Sequence, residues 1–290
     1  MNNLNSKLVY GISLAVFGTL GLFTRYIPLS SGELAMYRAV LATILLTVYM
    51  VISNQKIDFS AVKKEIPLLF ISGMAMGINW VLLFQAYSYT TVSVATLSYY
   101  FAPVIVTVVC PFLFKEKMTA KQVICFAMST IGLAMIIGVG ETDKSGNNLI
   151  GIAFGLGAAV FYATVVLINK FIKGVTGIHR TFFQFIAAIV VLVPYVFCTG
   201  GTDLTMLTGI GVGSLLIVGL VHTGVNYCLY FTSLKELKGH ESAILSYIDP
   251  LVAVLVSVLI LGEKMTIMQV TGGILILGFT LWNEIGKNRK

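Results

Sequence analysis

Apolar residues run along the chain in blocks about 20 residues long, the length an α-helix needs to cross a ~30 Å hydrocarbon core. Ten blocks stand out, at about 8–27, 33–53, 66–88, 93–114, 121–139, 149–170, 178–198, 210–234, 241–261 and 267–285. The breaks are short and polar, such as Pro28-Leu29-Ser30-Ser31-Gly32, the charged stretch from Lys56 to Glu65, and Gly262 to Thr266. Short breaks make successive helices antiparallel neighbours. The pattern predicts an all-α integral membrane protein of ten transmembrane helices, with no stretch left for a soluble catalytic domain.

One segment occurs twice. Gly77 to Val123 recurs without a gap 147 residues later, at Gly224 to Val270. Asn79 matches Asn226, Tyr100 matches Tyr247, Pro103 matches Pro250, and Glu116-Lys117-Met118-Thr119 matches Glu263-Lys264-Met265-Thr266. Paired apolar repeats of this kind mark secondary transporters. Five helices per copy is an odd number, so the second copy enters the membrane from the other side and the halves are inverted. The expected halves are residues 1–140 and 149–290, forming one compact membrane domain around a central cavity.

Composition agrees with the pattern and adds orientation. With 57% hydrophobic and 11% charged residues and a mean hydropathy of +0.93, the chain has too little polar surface for a water-soluble globule. Its net charge of +7 forms no basic patch interleaved with exposed aromatics, so nucleic acid is not expected as a partner. Counting alternate loops and the tail, one face collects 15 of the 19 cations: Lys7, Lys56, Lys63, Lys64, Lys115, Lys117, Lys121, Lys170, Lys173, Arg180, Lys235, Lys238, Lys287, Arg289 and Lys290. The positive-inside rule then places both termini in the cytoplasm, in a plasma membrane. The first block lacks a small-residue cleavage site and reads as a retained span. Cys110, Cys125, Cys198 and Cys228 fall within apolar blocks at unrelated spacings and suggest neither disulfides nor a metal site.

Polar residues at membrane depth are the candidates for function, because each needs a partner there. Asn79 and Asn226 either line a substrate cavity or hydrogen-bond between helices. His222, Asn226 and Tyr230 are spaced by four and share one helix face, with His222 a candidate ligand or proton carrier. Asp249 lies inside the ninth block, beside Ser246, Tyr247 and Pro250, where a carboxylate must be paired, hydrated or protonated. Pro103 and Pro250 are candidate hinges. Trp80, with Tyr99 and Tyr100, would cage a flat or cationic solute, or packs against neighbouring helices. Glu241 is either a helix-start carboxylate or a third proton-coupling group. Arg38, with Glu33 five residues earlier, is kept either as a charge-balancing pair or as an anion contact. No phosphate-binding loop, metal-ligand pair or nucleophile elbow occurs, so no cofactor or metal is expected and no enzyme activity is assigned.

Three stretches carry a specific resemblance: Tyr100-Phe101-Ala102-Pro103 leading to Phe114-Lys115-Glu116-Lys117, Tyr247-Ile248-Asp249-Pro250 leading to Leu261-Gly262-Glu263-Lys264, and Arg38 within Leu34-Ala35-Met36-Tyr37-Arg38. The chain resembles the ten-helix EamA-type permeases of the drug/metabolite transporter superfamily over nearly its whole length. It departs from their pattern at Lys115, where the second copy keeps Gly262. The resemblance implies two inverted five-helix repeats, the first four helices of each lining a central cavity and the fifth packed outside, working by alternating access.

The resulting expectation is a secondary active transporter for a small metabolite, an amino acid or related amphipathic solute, in the export direction. Substrate contacts are expected from Asn79, Trp80, Tyr99, Tyr100, His222, Asn226, Tyr230, Tyr247 and Asp249. The alternatives are a proton-independent facilitator or exchanger for an organic cation or other metabolite, an intramembrane enzyme using Asp249, Glu241 and His222, and a structural subunit. Expected partners are a small-molecule substrate, the lipid bilayer and, in the coupled reading, protons, with the chain acting as a monomer or homodimer.

Overall fold

The structure, a computed structural model, describes residues 3–115, 118–137, 147–234, 236–237 and 239–285. The Glu116-Lys117 copy of the repeated turn, Lys235, Lys238 and the basic tail from Lys287 lie outside the described residues. Among the described residues every regular element is helical. Ten crossings follow one another: α1 (Asn3–Gly18, then Leu20–Thr24), α2 (Ser31–Ile52), α3 (Phe59–Tyr89), α4 (Val92–Tyr99 and Ala102–Phe114), α5 (Ala120–Ile137), α6 (Asn147–Asn169), α7 (Gly177–Cys198), α8 (Gly209–Leu216, Ile217–Val225 and Asn226–Leu234), α9 (Gly239–Leu245 and Ile248–Leu259) and α10 (Ile267–Ile285).

Eight of these are long and apolar enough to span a bilayer on length and composition alone. The other two have identifiable reasons. Helix α9 is broken before Pro250, leaving a 12-residue apolar piece, Ile248–Leu259, and α10 ends in the polar group Thr280, Asn283 and Glu284. Helix α3 starts earlier than its apolar block, at Phe59, because Asp58 caps it by accepting from Ser60 N at 3.0 Å and Ala61 N at 3.1 Å. Its charged first turns therefore extend the helix beyond the apolar segment. Large side chains that would be core residues in a soluble protein lie on the outside, including Ile52 (75% exposed), Phe112 (75%) and Ile267 (85%). Such a surface is stable only against lipid.

The packing obeys the inversion. Helix α3 packs on α6 and α7, and its counterpart α8 packs on α1 and α2; α4 lies on α6 as α9 lies on α1. Three pairs meet across the symmetry axis, α2 with α7, α4 with α9, and α5 with α10. At the last crossing a Cβ on Gly132 would sit 2.6 Å from Gly272 O, and one on Gly272 would sit 2.4 Å from Gly132 O. Two helices can approach that closely only where both lack side chains. The largest buried cluster fills the space between α2, α3, α7 and α8, around Leu46, Phe185, Leu192 and Val218. A second joins α4, α5, α6 and α10 through Leu97, Ile136, Ile152 and Ile276.

Candidate functional site

Helices α4 and α9 are each interrupted just before their repeated proline. In α4 the first piece stops at Tyr99 and the second starts at Ala102, so Pro103 falls in the opening turn of the new piece. In α9 the pieces meet at Ser246 and Tyr247, and Pro250 falls in the first turn of Ile248–Leu259. Proline is tolerated there because its missing N–H lies among the first-turn donors that have no intrahelical acceptor. The interruption, rather than a kink within a continuous helix, is what each proline marks.

The two breaks meet. The Tyr100 hydroxyl donates a short hydrogen bond to the Asp249 carboxylate, joining positions 149 residues apart and belonging to opposite halves. Asp249 also lies in the first turn of its helical piece, where unpaired backbone N–H groups favour an anion. Around it stand tyrosines from several helices. Tyr99 makes edge contacts with Tyr100 at 5.6 Å and a tilted contact with Tyr162 of α6 at 5.4 Å. From α1, Tyr10 donates to Tyr230 of α8 at 3.4 Å, with their rings 5.1 Å apart. Tyr227 follows at 6.4 Å from Tyr230. Asp249 is an electrostatic neighbour of Tyr10, Tyr87, Tyr99, Tyr100, Tyr162, Tyr227 and Tyr230 alike.

Most of these side chains are not sealed. Asp249, Tyr99, Tyr100, Tyr227 and Tyr230 are half-buried, and Tyr162 keeps 42% of its surface accessible. Tyrosine in a membrane helix ordinarily sits at the headgroup level. Here phenols converge on one carboxylate from α1, α3, α4, α6 and α8, which makes a polar chamber between the halves.

Other expected contacts lie in the packing between helices. His222, Asn226 and Tyr230 do share one face of α8, and that face meets α1: His222 Nε2 is 2.9 Å from Thr19 Oγ1, Asn226 Nδ2 donates to Ser13 O at 2.9 Å, and Tyr230 meets Tyr10. His222 is 2% exposed and also packs edge-on against Phe23 at 5.1 Å. Asn79 makes the inverted counterpart of the Asn226 contact, donating from Nδ2 to Ala158 O of α6 at 2.6 Å. Both asparagines therefore tie helices together. Asn79→Leu is expected to lower stability by about 1–2 kcal/mol, the upper range for an interhelical hydrogen bond in a membrane. Thermal unfolding of the purified protein in detergent checks it, and an unchanged midpoint would mean that the amide bond contributes nothing.

Trp80 is buried, 5.3 Å edge-on from Phe185, and carries the Arg38 guanidinium 4.5 Å above its ring. Arg38 and Glu33 do not form the pair their spacing allowed. Glu33 closes a capping box with Ser30 at the start of α2 and accepts from Asp203 N at 2.9 Å, so its carboxylate is held at the helix end. Arg38 instead donates from Nε to Thr223 Oγ1 of α8 at 2.7 Å. Thr223 belongs to the π-helical segment Ile217–Val225, and its hydroxyl donates to Val218 O at 2.8 Å. Wide turns of this kind frequently occur at functional sites.

Two expected site residues lie elsewhere. Tyr247, the repeat partner of Tyr100, faces away from Asp249: it is buried, hydrogen-bonded to Thr280 of α10, and has Glu284 and Cys125 as electrostatic neighbours. Glu241 forms an ion pair with Lys7 at 2.7 Å at the face that carries the termini, which does not place it in the chamber. At the opposite face a cavity of about 220 Å³ is lined by residues including Thr24, Arg25, Tyr87, Val92 and Glu263. There Glu263 accepts from Val92 N at 2.9 Å, takes a hydrogen bond from Ser257 and pairs with Arg25 at 3.6 Å. Tyr10, Tyr162, Tyr227 and Thr223 are not singled out by the sequence, although phenols inside apolar blocks, such as Tyr162, are a legible signal.

The chain and its fold have relatives among known proteins. The model of the EamA-like transporter family matches residues 6–138 and again 149–283. An uncharacterized transporter of Bacillus subtilis, YxxF, is 30% identical over 280 residues, covering 95% of this chain and 89% of that protein. An uncharacterized transporter of Archaeoglobus fulgidus is 30% identical over 198 residues, 67% of this chain and 68% of its own. Among solved structures, one described only as "Crystal structure of protein" superposes with a TM-score of 0.66 at 14% identity, covering 95% of this chain and 96% of that one.

Proposed function

Because the chain belongs to the EamA-like transporter family, we propose that it is a secondary active transporter exporting a small amphipathic metabolite, an amino acid or close relative, across the plasma membrane by alternating access. The observation that carries this reading is the Asp249–Tyr100 contact, which sits at the meeting of two inverted halves among half-buried phenols. A carboxylate there suits a substrate ammonium, and the surrounding rings suit an apolar or cationic side. The interruptions before Pro103 and Pro250 supply movable half-helices, one in each repeat, as alternate gates. The Lys-rich face is the cytoplasmic one, with both termini inside. No chemical conversion is part of this activity.

Protonation of Asp249 is the proposed coupling step, since it removes a charge from a low-dielectric chamber and so shifts the balance between conformations. The groups facing Asp249 from the elements around it are the phenols already named. The test is amino-acid flux in proteoliposomes with and without a pH gradient. Asp249→Asn and His222→Ala are expected to flatten the pH profile; if both keep the wild-type profile, proton coupling through them is wrong. A second reading, a gradient-driven facilitator for an amine, is favoured by the phenol cage around a lone carboxylate, and predicts flux that ignores the pH gradient.

A further inference from the structure

The chamber has a second charged group that the reading above leaves idle. Arg38 is 3% exposed at membrane depth on α2. Among the described residues Arg38 has no carboxylate partner; its recorded contacts are with Thr223, Trp80 and Phe84. Its guanidinium carbon lies 4.5 Å from the centre of Trp80 and 5.7 Å from that of Phe84, while Nε donates to Thr223 at 2.7 Å. Its electrostatic neighbours, Tyr227, Tyr99 and Tyr87, are neutral phenols, and the first two belong to the chamber walls.

Two consequences follow. A buried guanidinium without an opposite charge is costly, because neutral contacts replace only part of its hydration. The same neutral contacts also fix its direction: the flat faces of Trp80 and Phe84 and the Nε bond hold the plane, and the two Nη groups are left over. Neither Nη has a hydrogen-bond partner among the described residues, where the side chain's one hydrogen bond is from Nε. A fork of parallel N–H donors held in this way matches a carboxylate, which accepts two bonds side by side.

We infer that Arg38, oriented by Trp80 and Thr223, is the binding site for a carboxylate group of the transported solute. The inference rests on the transporter reading only for the statement that the bound carboxylate is carried. Thr223 and Trp80 act as positioning residues through Arg38, and solutes without a carboxylate are discriminated against at this point.

The ligand side offers a test that needs no mutation. Thermal unfolding midpoints of the full-length purified protein are measured against the common amino acids, acetate, succinate, the corresponding amides and inorganic phosphate. At least one carboxylate is expected to raise the midpoint saturably, while its amide requires at least about tenfold more ligand, the cost of losing a bidentate charged acceptor. Arg38→Lys is expected to weaken that carboxylate at least about tenfold and to leave the amide unchanged. In a Trp282→Phe background, Trp80 is the remaining one of the two tryptophans, and its emission should shift with the carboxylate and stay still with the amide. Equal stabilisation by acid and amide, stabilisation by phosphate in place of carboxylates, or no response to any carboxylate overturns the inference. If Arg38→Lys does not fold, the acid-to-amide comparison on the unmodified protein decides. Flux of an amine without carboxylate binding would sink the Arg38 site and leave the transporter reading standing; carboxylate binding without flux would do the reverse.

Discussion

Asp249→Ala is expected to lower solute flux in proteoliposomes by on the order of a hundredfold, with the folded protein retained. The carboxylate accepts the Tyr100 hydroxyl across the two halves, and a hydrogen bond to a charged group contributes about 1.5–3 kcal/mol, equivalent to roughly ten- to a hundredfold in binding. Loss of the negative charge adds the interaction with a substrate ammonium. Tyr100→Phe keeps the ring and removes only the hydroxyl, so its loss should be smaller, about tenfold. The informative comparison is between the two variants at equal thermal stability. Asp249→Ala transporting at wild-type rates would remove this carboxylate from the substrate path and, with it, the proposed site.

Gly18→Leu is expected to be among the most damaging single changes at the close helix contacts. A Cβ at Gly18 would lie 2.6 Å from the backbone oxygen of Asp249, 2.7 Å from Val252 Cβ and 2.9 Å from Val252 Cγ1. Neither the carbonyl nor a branched Cβ can swing aside, so α1 must move away from α9. Overpacking of this kind costs about 1–3 kcal/mol for a single added carbon, and a leucine adds more. Gly18→Ala should therefore lower the unfolding midpoint by several degrees, on the order of 2–4 °C per kcal/mol for a chain of this size. Gly18→Leu should also abolish flux, because the displaced backbone is that of Asp249 itself. Gly278→Ala on α10 is the control: nothing lies within 4 Å of its added Cβ, and its stability should stay within about 0.5 kcal/mol of wild type. A Gly18→Ala protein as stable as this control would show that the α1–α9 contact adapts freely.

The cavity at Arg25 and Glu263 connects these expectations to the conformational cycle. Glu263 there ties the start of α4 to the α9–α10 turn and pairs with Arg25 of the first half, a contact between the two halves. The corresponding Glu116 of the first copy lies outside the described residues.

The sequence by itself determined the helices, their number and their inversion. In lipid every backbone polar group must be satisfied within its own segment, so apolar blocks of about 20 residues have one available structure. An odd number of them per repeat leaves one available topology. It also marked Asp249, since a carboxylate inside an apolar block stands out without any knowledge of its neighbours. What the repeat pattern could not determine was direction. Tyr100 and Tyr247 occupy matching positions 147 residues apart, yet one meets Asp249 and the other meets Thr280. Asn79 and Asn226, equally well matched, keep matching partners in α6 and α1. The difference is physical. The asparagines sit on α3 and α8, where the position along the helix decides which neighbouring helix they face, whereas the tyrosines sit at chain breaks, where the rotation of each half-helix is decided by packing against remote segments. Arg38 shows the same limit: its spacing suggested Glu33, but only the tertiary structure, by bringing α8 and Trp80 against it, decided that its guanidinium would be held flat with its fork unpaired.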